Sequence, residues 1–249
     1  GGGGFDQHGM PDSWQVLGPF TNGASCTLDG GAGKTTEKIP DGSKIGAVAP
    51  APGEDETTSG KKWDLYKFNF AARMQSFCDT CNDHRGVDLD CHWGGASKGD
   101  RMGFAVTYVF SDSDRTSHVR VGGNSYKLWI NGELKIDRGS VCAAEGSCYN
   151  TAGTVLSSVQ FRKGRNSIVV QLGQAVVKKP GLSFVLTMDS YTGFRASAHP
   201  GFDRVVPHAG IAQFAIDATT TWQQAQDKCD DEGMQLCSRE MICPDGKLK

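Results

Sequence analysis

No run of about 18 consecutive apolar residues occurs anywhere in the chain, so the sequence contains no candidate membrane-spanning helix. The chain also opens without the charged and apolar regions of a signal peptide, and the expectation is that any such leader has been removed. Basic excess is missing: the net charge is −2 and the pI about 6.3. Lys61-Lys62 and Lys178-Lys179 are isolated pairs on solvated surface, so neither nucleic acid nor anionic lipid is an expected partner. None of the seven asparagines lies in an Asn-x-Ser/Thr sequon, which argues against a heavily N-glycosylated surface protein. The Gly-x-Ser-x-Gly elbow and the His-Glu-x-x-His helix are both absent. Gly30-Gly31-Ala32-Gly33-Lys34-Thr35-Thr36 lacks the leading glycine, the preceding strand and the following helix of a phosphate loop, and reads as a plain glycine-rich loop. These absences lean against an enzyme.

What is abundant is glycine (33 residues) and cysteine (9), with an ordinary charged fraction of 22%. Many glycines with few charge runs suit a loop-rich β protein. Nine cysteines imply an oxidising compartment, whether extracellular, periplasmic or an organelle lumen. Cys142 and Cys148 flank a short loop and are expected to be bridged. Cys78, Cys81 and Cys91 cluster, with Cys26 a fourth member. Cys229, Cys237 and Cys243 form a C-terminal group in which Cys229 is expected to be bridged. An odd count leaves at least one thiol free or paired beyond the chain.

The strand signals are dense. Trp14–Phe20 reads as a first strand stopped by Gly18-Pro19, because proline cannot donate to a central ladder. Residues 21–62 show no convincing periodic run and read as a long insertion. From Trp63 to Arg73 apolar residues alternate, with Tyr66, Phe68, Phe70 and Ala72 on the inward face. A second insertion spans 76–101. Phe104–Phe110, Ser117–Val121, Tyr126–Ile130, Leu134–Ile136, Val155–Phe161, Ser167–Leu172 and Leu182–Met188 follow as strands, with a third insertion at 139–153. Asn131-Gly132 is the strongest hairpin signal, since a type I′ turn needs φ > 0 at both positions. Gly164 suits a tight bend, and Asn166 can hydrogen-bond the backbone around it. About eight strands at this spacing mean a mostly β chain built as an antiparallel β-sandwich with long loops.

Residues 1–13 read as an irregular N-terminal segment, 14–190 as the sandwich, and 191–218 as a linker or ordered strap. Residues 219–249 read as a small helical, cysteine-containing segment. Thr220 or Thr221 caps its helix and Gly233 ends it.

Four segments together resemble the galactose-binding-domain-like, carbohydrate-binding-module-like sandwich, a jelly-roll type of fold. They are Trp14 with Gly18-Pro19-Phe20; Tyr108 to Asp112; Lys127, Trp129 and Asn131-Gly132-Glu133; and Lys163-Gly164 with Asn166. The resemblance covers 12–190 without the insertions. It implies a binding module of a secreted carbohydrate-active or adhesive protein. Related modules carry an acidic pair before the Trp-Asn-Gly hairpin, whereas this chain has Gly122-Gly123-Asn124-Ser125. Trp222, Ala225, Cys229, Gly233 and Leu236-Cys237-Ser238 are similar to the opening of C-type-lectin-like and Link-like domains, whose first helix carries a disulfide-bonded cysteine. Either that domain continues in the natural protein or the segment caps the sandwich.

For ligand contacts the best residues are Trp93, an aromatic in a polar loop, and its neighbour His92, with Asp112, Asp114 and Arg115 in a second loop. Trp63 and Trp129 would stack on sugars only if exposed, and Trp14 and Trp129 suit the core better. Asp112 and Asp114 supply hard oxygen ligands for Ca²⁺, but lack the glycine and distal glutamate of an EF-hand. Asp88 and Asp90 raise the same reading with less support. Cys78-x-x-Cys81 with His84, Cys91 and His92 has the residue types of a zinc site, but in an oxidising compartment a disulfide-stapled loop is the better reading. The first functional expectation is a non-catalytic, carbohydrate-binding module of an exported protein. The alternative is a structural subunit of an extracellular or lumenal assembly that contacts protein partners through its loops.

Overall fold

In strand β4 (Arg101–Ser111) every residue after Arg101 is buried, and apolar side chains stand on both faces of the pleat. A strand of that kind needs a cover on each side, and the computed structural model of the chain provides both. The structure describes residues 4–5, 9–21, 28, 37–67, 86–93, 101–123, 125–139, 154–174 and 182–200. The chain divides into two units, 1–200 and 201–249; the description concerns the first. The helix expected after Thr219, the cysteines Cys229, Cys237 and Cys243 of the C-terminal segment, and Cys26, Cys78, Cys81, Cys142 and Cys148 lie outside the described residues.

The first unit is mostly β, with two antiparallel sheets. The larger sheet runs β2 (Asp64–Lys67), β1 (Ser13–Thr21), β4, β9 (Gly164–Gln174), β6 (Ser125–Ile130), β7 (Glu133–Asp137). A further strand, β11 (Phe194–Ser197), pairs with the second half of β4 while β1 pairs with the first half. Thr107 joins the two partners, its hydroxyl donating to the Ser13 carbonyl at 3.0 Å and the Ser197 carbonyl at 3.3 Å. The smaller sheet runs β3 (Val87–Asp88), β10 (Ser183–Met188), β5 (Arg115–Gly123), β8 (Thr154–Phe161). Between the sheets lies the main core: Trp14 and Val16 of β1, Tyr126, Leu128 and Ile130 of β6, and Ile168, Val170 and Leu172 of β9. These face Val119 and Val121 of β5 and Phe184, Leu186 and Met188 of β10. Trp14 meets Phe184 edge-on across the gap at 5.0 Å.

Residues 37–62, part of the stretch read as an insertion without regular structure, form a third layer on the outer face of the larger sheet. Helix α1 (Gly42–Val48) is capped by Asp41, whose carboxylate accepts from the Ser43 N–H at 3.0 Å and the Ser43 hydroxyl at 2.7 Å. Ile45 is its buried apolar anchor. Gly42 and Gly46, one turn apart, let the helix lie against the sheet. A Cβ on Gly42 would fall 2.7 Å from the Trp129 ring, and one on Gly46 would overlap Ser167. Further along, Gln15 Nε2 and the Tyr108 hydroxyl both donate to the Pro50 carbonyl, at 2.6 and 3.3 Å. Trp63 and Trp129 are therefore buried, and so is Trp14.

Three boundaries differ from expectation. β1 does not stop at Gly18-Pro19. Those two residues form a bulge between Leu17↔Phe104 and Phe20↔Met102, and pairing resumes through Thr21. The missing proline donor falls on an unpaired position, so the ladder loses nothing. β11 lies in the stretch read as linker or strap, and the two-residue β3 lies in the second insertion. The Asn131-Gly132 turn has φ values of 53° and 80°, both positive as a type I′ turn requires. Among the described residues no helix is long and apolar enough to cross a membrane.

Candidate functional site

One rim of the sandwich is built where β2, β3 and helix α2 (Leu89–His92) meet. Tyr66 of β2 points inward, as alternation predicts, and its hydroxyl accepts the Asp88 N–H at 3.1 Å. The Leu89 N–H bonds the Leu182 carbonyl at 2.9 Å, and the Trp93 N–H bonds Leu89 at 3.0 Å. This short turn delivers two adjacent aromatic side chains to the rim. His92 reaches the carboxylate of Asp64, with Nε2 2.9 Å from Oδ2. The imidazole is 17% exposed and the carboxylate 68%, so the pair is reachable from solvent on the acid side. The imidazole lies 5.5 Å from the Tyr66 ring and 6.1 Å from the Trp93 ring.

Trp93 is half-buried and packs on the main core. Its ring lies across Gly18 of the β1 bulge and Gly103 of β4. A Cβ on Gly18 would come 2.8 Å from the indole, and one on Gly103 would overlap it. Gly18 also has φ 144°, a conformation open to glycine. Two glycines on neighbouring strands thus make a bed that leaves room for the outer edge of the indole's six-membered ring. The loop character expected for Trp93 gives way to a position directly after a helical turn.

The second set of candidate residues lies elsewhere. Asp112, Asp114 and Arg115 lie just past the far end of β4, whose last residue, Ser111, is eight residues from Gly103, or on the order of 25 Å along the strand. The structure does not bring them together with Trp93 and His92. Arg115 is a hub. Its Nη1 donates to the Thr192 carbonyl at 2.7 Å, its Nη2 donates to the Ser113 hydroxyl at 3.0 Å and pairs with Asp112, and its guanidinium lies 5.2 Å over the Phe194 ring. Asp114 accepts the Lys163 N–H at 2.6 Å. A calcium ion at this turn would compete with Arg115 for Asp112 and with a backbone donor for Asp114. Among the described residues, no three His, Cys, Asp or Glu side chains stand together as a metal-holding group.

Sequence reasoning placed Trp93 and His92 side by side but missed Asp64, Tyr66 and the glycine bed. The available signal for Tyr66 was its inward parity on β2. For Gly18 and Gly103 it was glycine inside otherwise apolar strands, which marks a close approach.

An antiparallel, mostly β, sandwich-like module is the class this architecture defines. No family model matches the chain, and no curated protein matches it. Among solved structures the chain is similar to the β-glucosidase from Kluyveromyces marxianus in complex with glucose. The TM-score is 0.36 at 14% identity, covering 61% of this chain and 18% of that one. The selenomethionine-labelled form of the same enzyme gives 0.33 at 15% identity, covering 58% of this chain and 16% of that one. This chain thus spans under a fifth of that enzyme's length, and a likeness at these scores carries no argument about function.

Proposed function

We propose that this chain is a non-catalytic, carbohydrate-binding module of an exported protein, of the galactose-binding-like type, and that the Trp93–His92 rim contacts the sugar. The observation carrying this reading is a half-buried indole, set on a bed of two glycines, beside an imidazole hydrogen-bonded to an exposed carboxylate. Sugar rings present apolar C–H faces and a girdle of hydroxyls. An aromatic plane next to polar groups that both donate and accept is complementary to that surface. Because the indole is held in place before any ligand arrives, little ordering entropy is lost on binding. The resemblance of the Trp-Gly-Pro-Phe, Trp-Asn-Gly and Lys-Gly-x-Asn segments to carbohydrate-binding modules supports the reading, and the nine cysteines support export to an oxidising compartment.

The test is titration of the full chain and its Trp93→Ala variant against a panel of neutral and charged oligosaccharides. The expected result is selective binding by the parent and a loss of about tenfold or more in the variant, the order of one removed aromatic contact. A variant that binds as the parent does removes this rim from consideration.

A further inference from the structure

The edge of the same rim carries a positive group whose hydrogen bonding is incomplete. β4 enters as Arg101-Met102-Gly103. Arg101 and Gly103 are two residues apart, so they share one face of the strand at about 7 Å. Gly103 is the residue whose Cβ position the Trp93 ring occupies, so the Arg101 side chain leaves the strand on the indole's side. Its Nη1 is covered and has no hydrogen-bond partner among the described residues, while the residue as a whole is only half-buried. A buried guanidinium donor left unmatched is costly, and the best match for it is an oxyanion.

The charges nearby are compatible with an anion at that point. Asp64 pairs with Val16, whereas Arg101 pairs with Thr21 from the opposite side of β1. The two charges are therefore on the order of 15 Å apart and screened from each other at physiological salt. Glu37, which accepts the Thr21 N–H, is itself paired with Lys61 at 3.1 Å.

We propose that this rim takes an acidic sugar, whose carboxylate or sulfate oxygens dock on the Arg101 guanidinium while the sugar ring lies against Trp93. The proposal rests on the glycan-binding reading above and names the class of glycan. Arginine suits the role because its planar fork matches a carboxylate or sulfate, and it stays charged at any physiological pH.

The test titrates the full chain with oligogalacturonate, with the neutral methyl ester of the same oligomer, and with a sulfated galactan oligomer. The parent should bind an acidic oligomer at least about tenfold more tightly than the ester, as expected for a charge-assisted hydrogen bond. That preference should shrink as salt is added. Arg101→Gln should reduce acid binding to about the level at which the same variant binds the ester, and Arg101→Lys should fall between. The tighter of the two acidic arms assigns the carboxylate or the sulfate. Equal binding of acid and ester by the parent, or a preference that survives Arg101→Gln, overturns the proposal while sparing the glycan reading. A folded parent that binds none of these or any other sugar overturns both. Should the Gln variant fail to fold by circular dichroism, the parent's acid-to-ester ratio and the Lys variant decide.

Discussion

Replacing Asn166 by Ala removes a side chain that is fully buried and spans three segments of the sandwich. Its Oδ1 accepts from the Arg162 N–H at 2.9 Å and from Asn131 Nδ2 at 2.9 Å. Its Nδ2 donates to the carbonyls of Arg162 at 2.8 Å, Gly164 at 3.1 Å and Val109 at 3.3 Å. Truncation leaves the Arg162 N–H and at least one carbonyl without their partner. Arg162 is exposed, so water replaces part of what is lost, and the expected cost is about 2–3 kcal/mol. With a urea m-value of about 2–3 kcal/mol/M, the midpoint should fall by about 1 M at unchanged slope. Asn166→Asp should be worse than Asn166→Ala at pH 7, since it sets a carboxylate against three carbonyl oxygens. The gap between the two should narrow as the pH falls and the acid protonates. Equilibrium urea unfolding of the three proteins decides the matter. An Asp variant as stable as the parent would refute the network as described.

Gly46→Ala pits two effects against each other. Helix propensity alone predicts a gain of about 1 kcal/mol, whereas the overlap with Ser167 predicts a net loss of about 1–3 kcal/mol from overpacking; partial rescue by Ser167→Gly would locate the clash. Asp41→Ala should cost about 1 kcal/mol through loss of the α1 cap, read by thermal unfolding. Among the described residues, three carboxylates stand below their ordinary pKa. For Asp41 the main cause is the Ser43 hydroxyl. For Glu37 and Glu56 burial works to raise the value, but Thr21 with Lys61, and the Thr58 and Ser59 N–H groups, outweigh it. A lowered folded-state pKa means stability present above the unfolded value of about 4 and lost as pH drops through the folded value. Stability should therefore be flat near neutrality and fall below about pH 4, and Glu37→Gln should flatten that acid limb.

Much of the sandwich is legible in the sequence because its strands end in residues with a single structural use. Asn131-Gly132 and Gly164 each adopt the positive φ that turn chemistry demands. Asn166 bonds the backbone around its turn as its type suggests. The third layer was not legible. α1 is seven residues with one apolar anchor, Ile45, and two glycines toward the sheet, so it is too short for a helical period to emerge. Its trace is in its partner instead: β4 is apolar on both faces, which a two-layer sandwich with one wet face does not require. β11 escaped notice because it is four residues long and paired with a strand more than eighty positions earlier. At the site, sequence adjacency alone joins His92 to Trp93. Asp64 and Gly103 arrive from other strands, and only the register of β1 brings them in. Sequence also grouped Arg115 with the ligand candidates, whereas its bonds to Thr192, Ser113 and Asp112 tie a turn to the approach to β11.

The central claim is that the molecule reads sugar without cutting it. The most direct test is equilibrium binding of the folded chain to a broad oligosaccharide panel, followed by mass analysis of every sugar recovered from the complex. The account predicts selective retention of a small group of glycans, recovered at their original mass and no longer retained by Trp93→Ala. A folded protein that retains nothing, or one that returns shortened sugar, would contradict it.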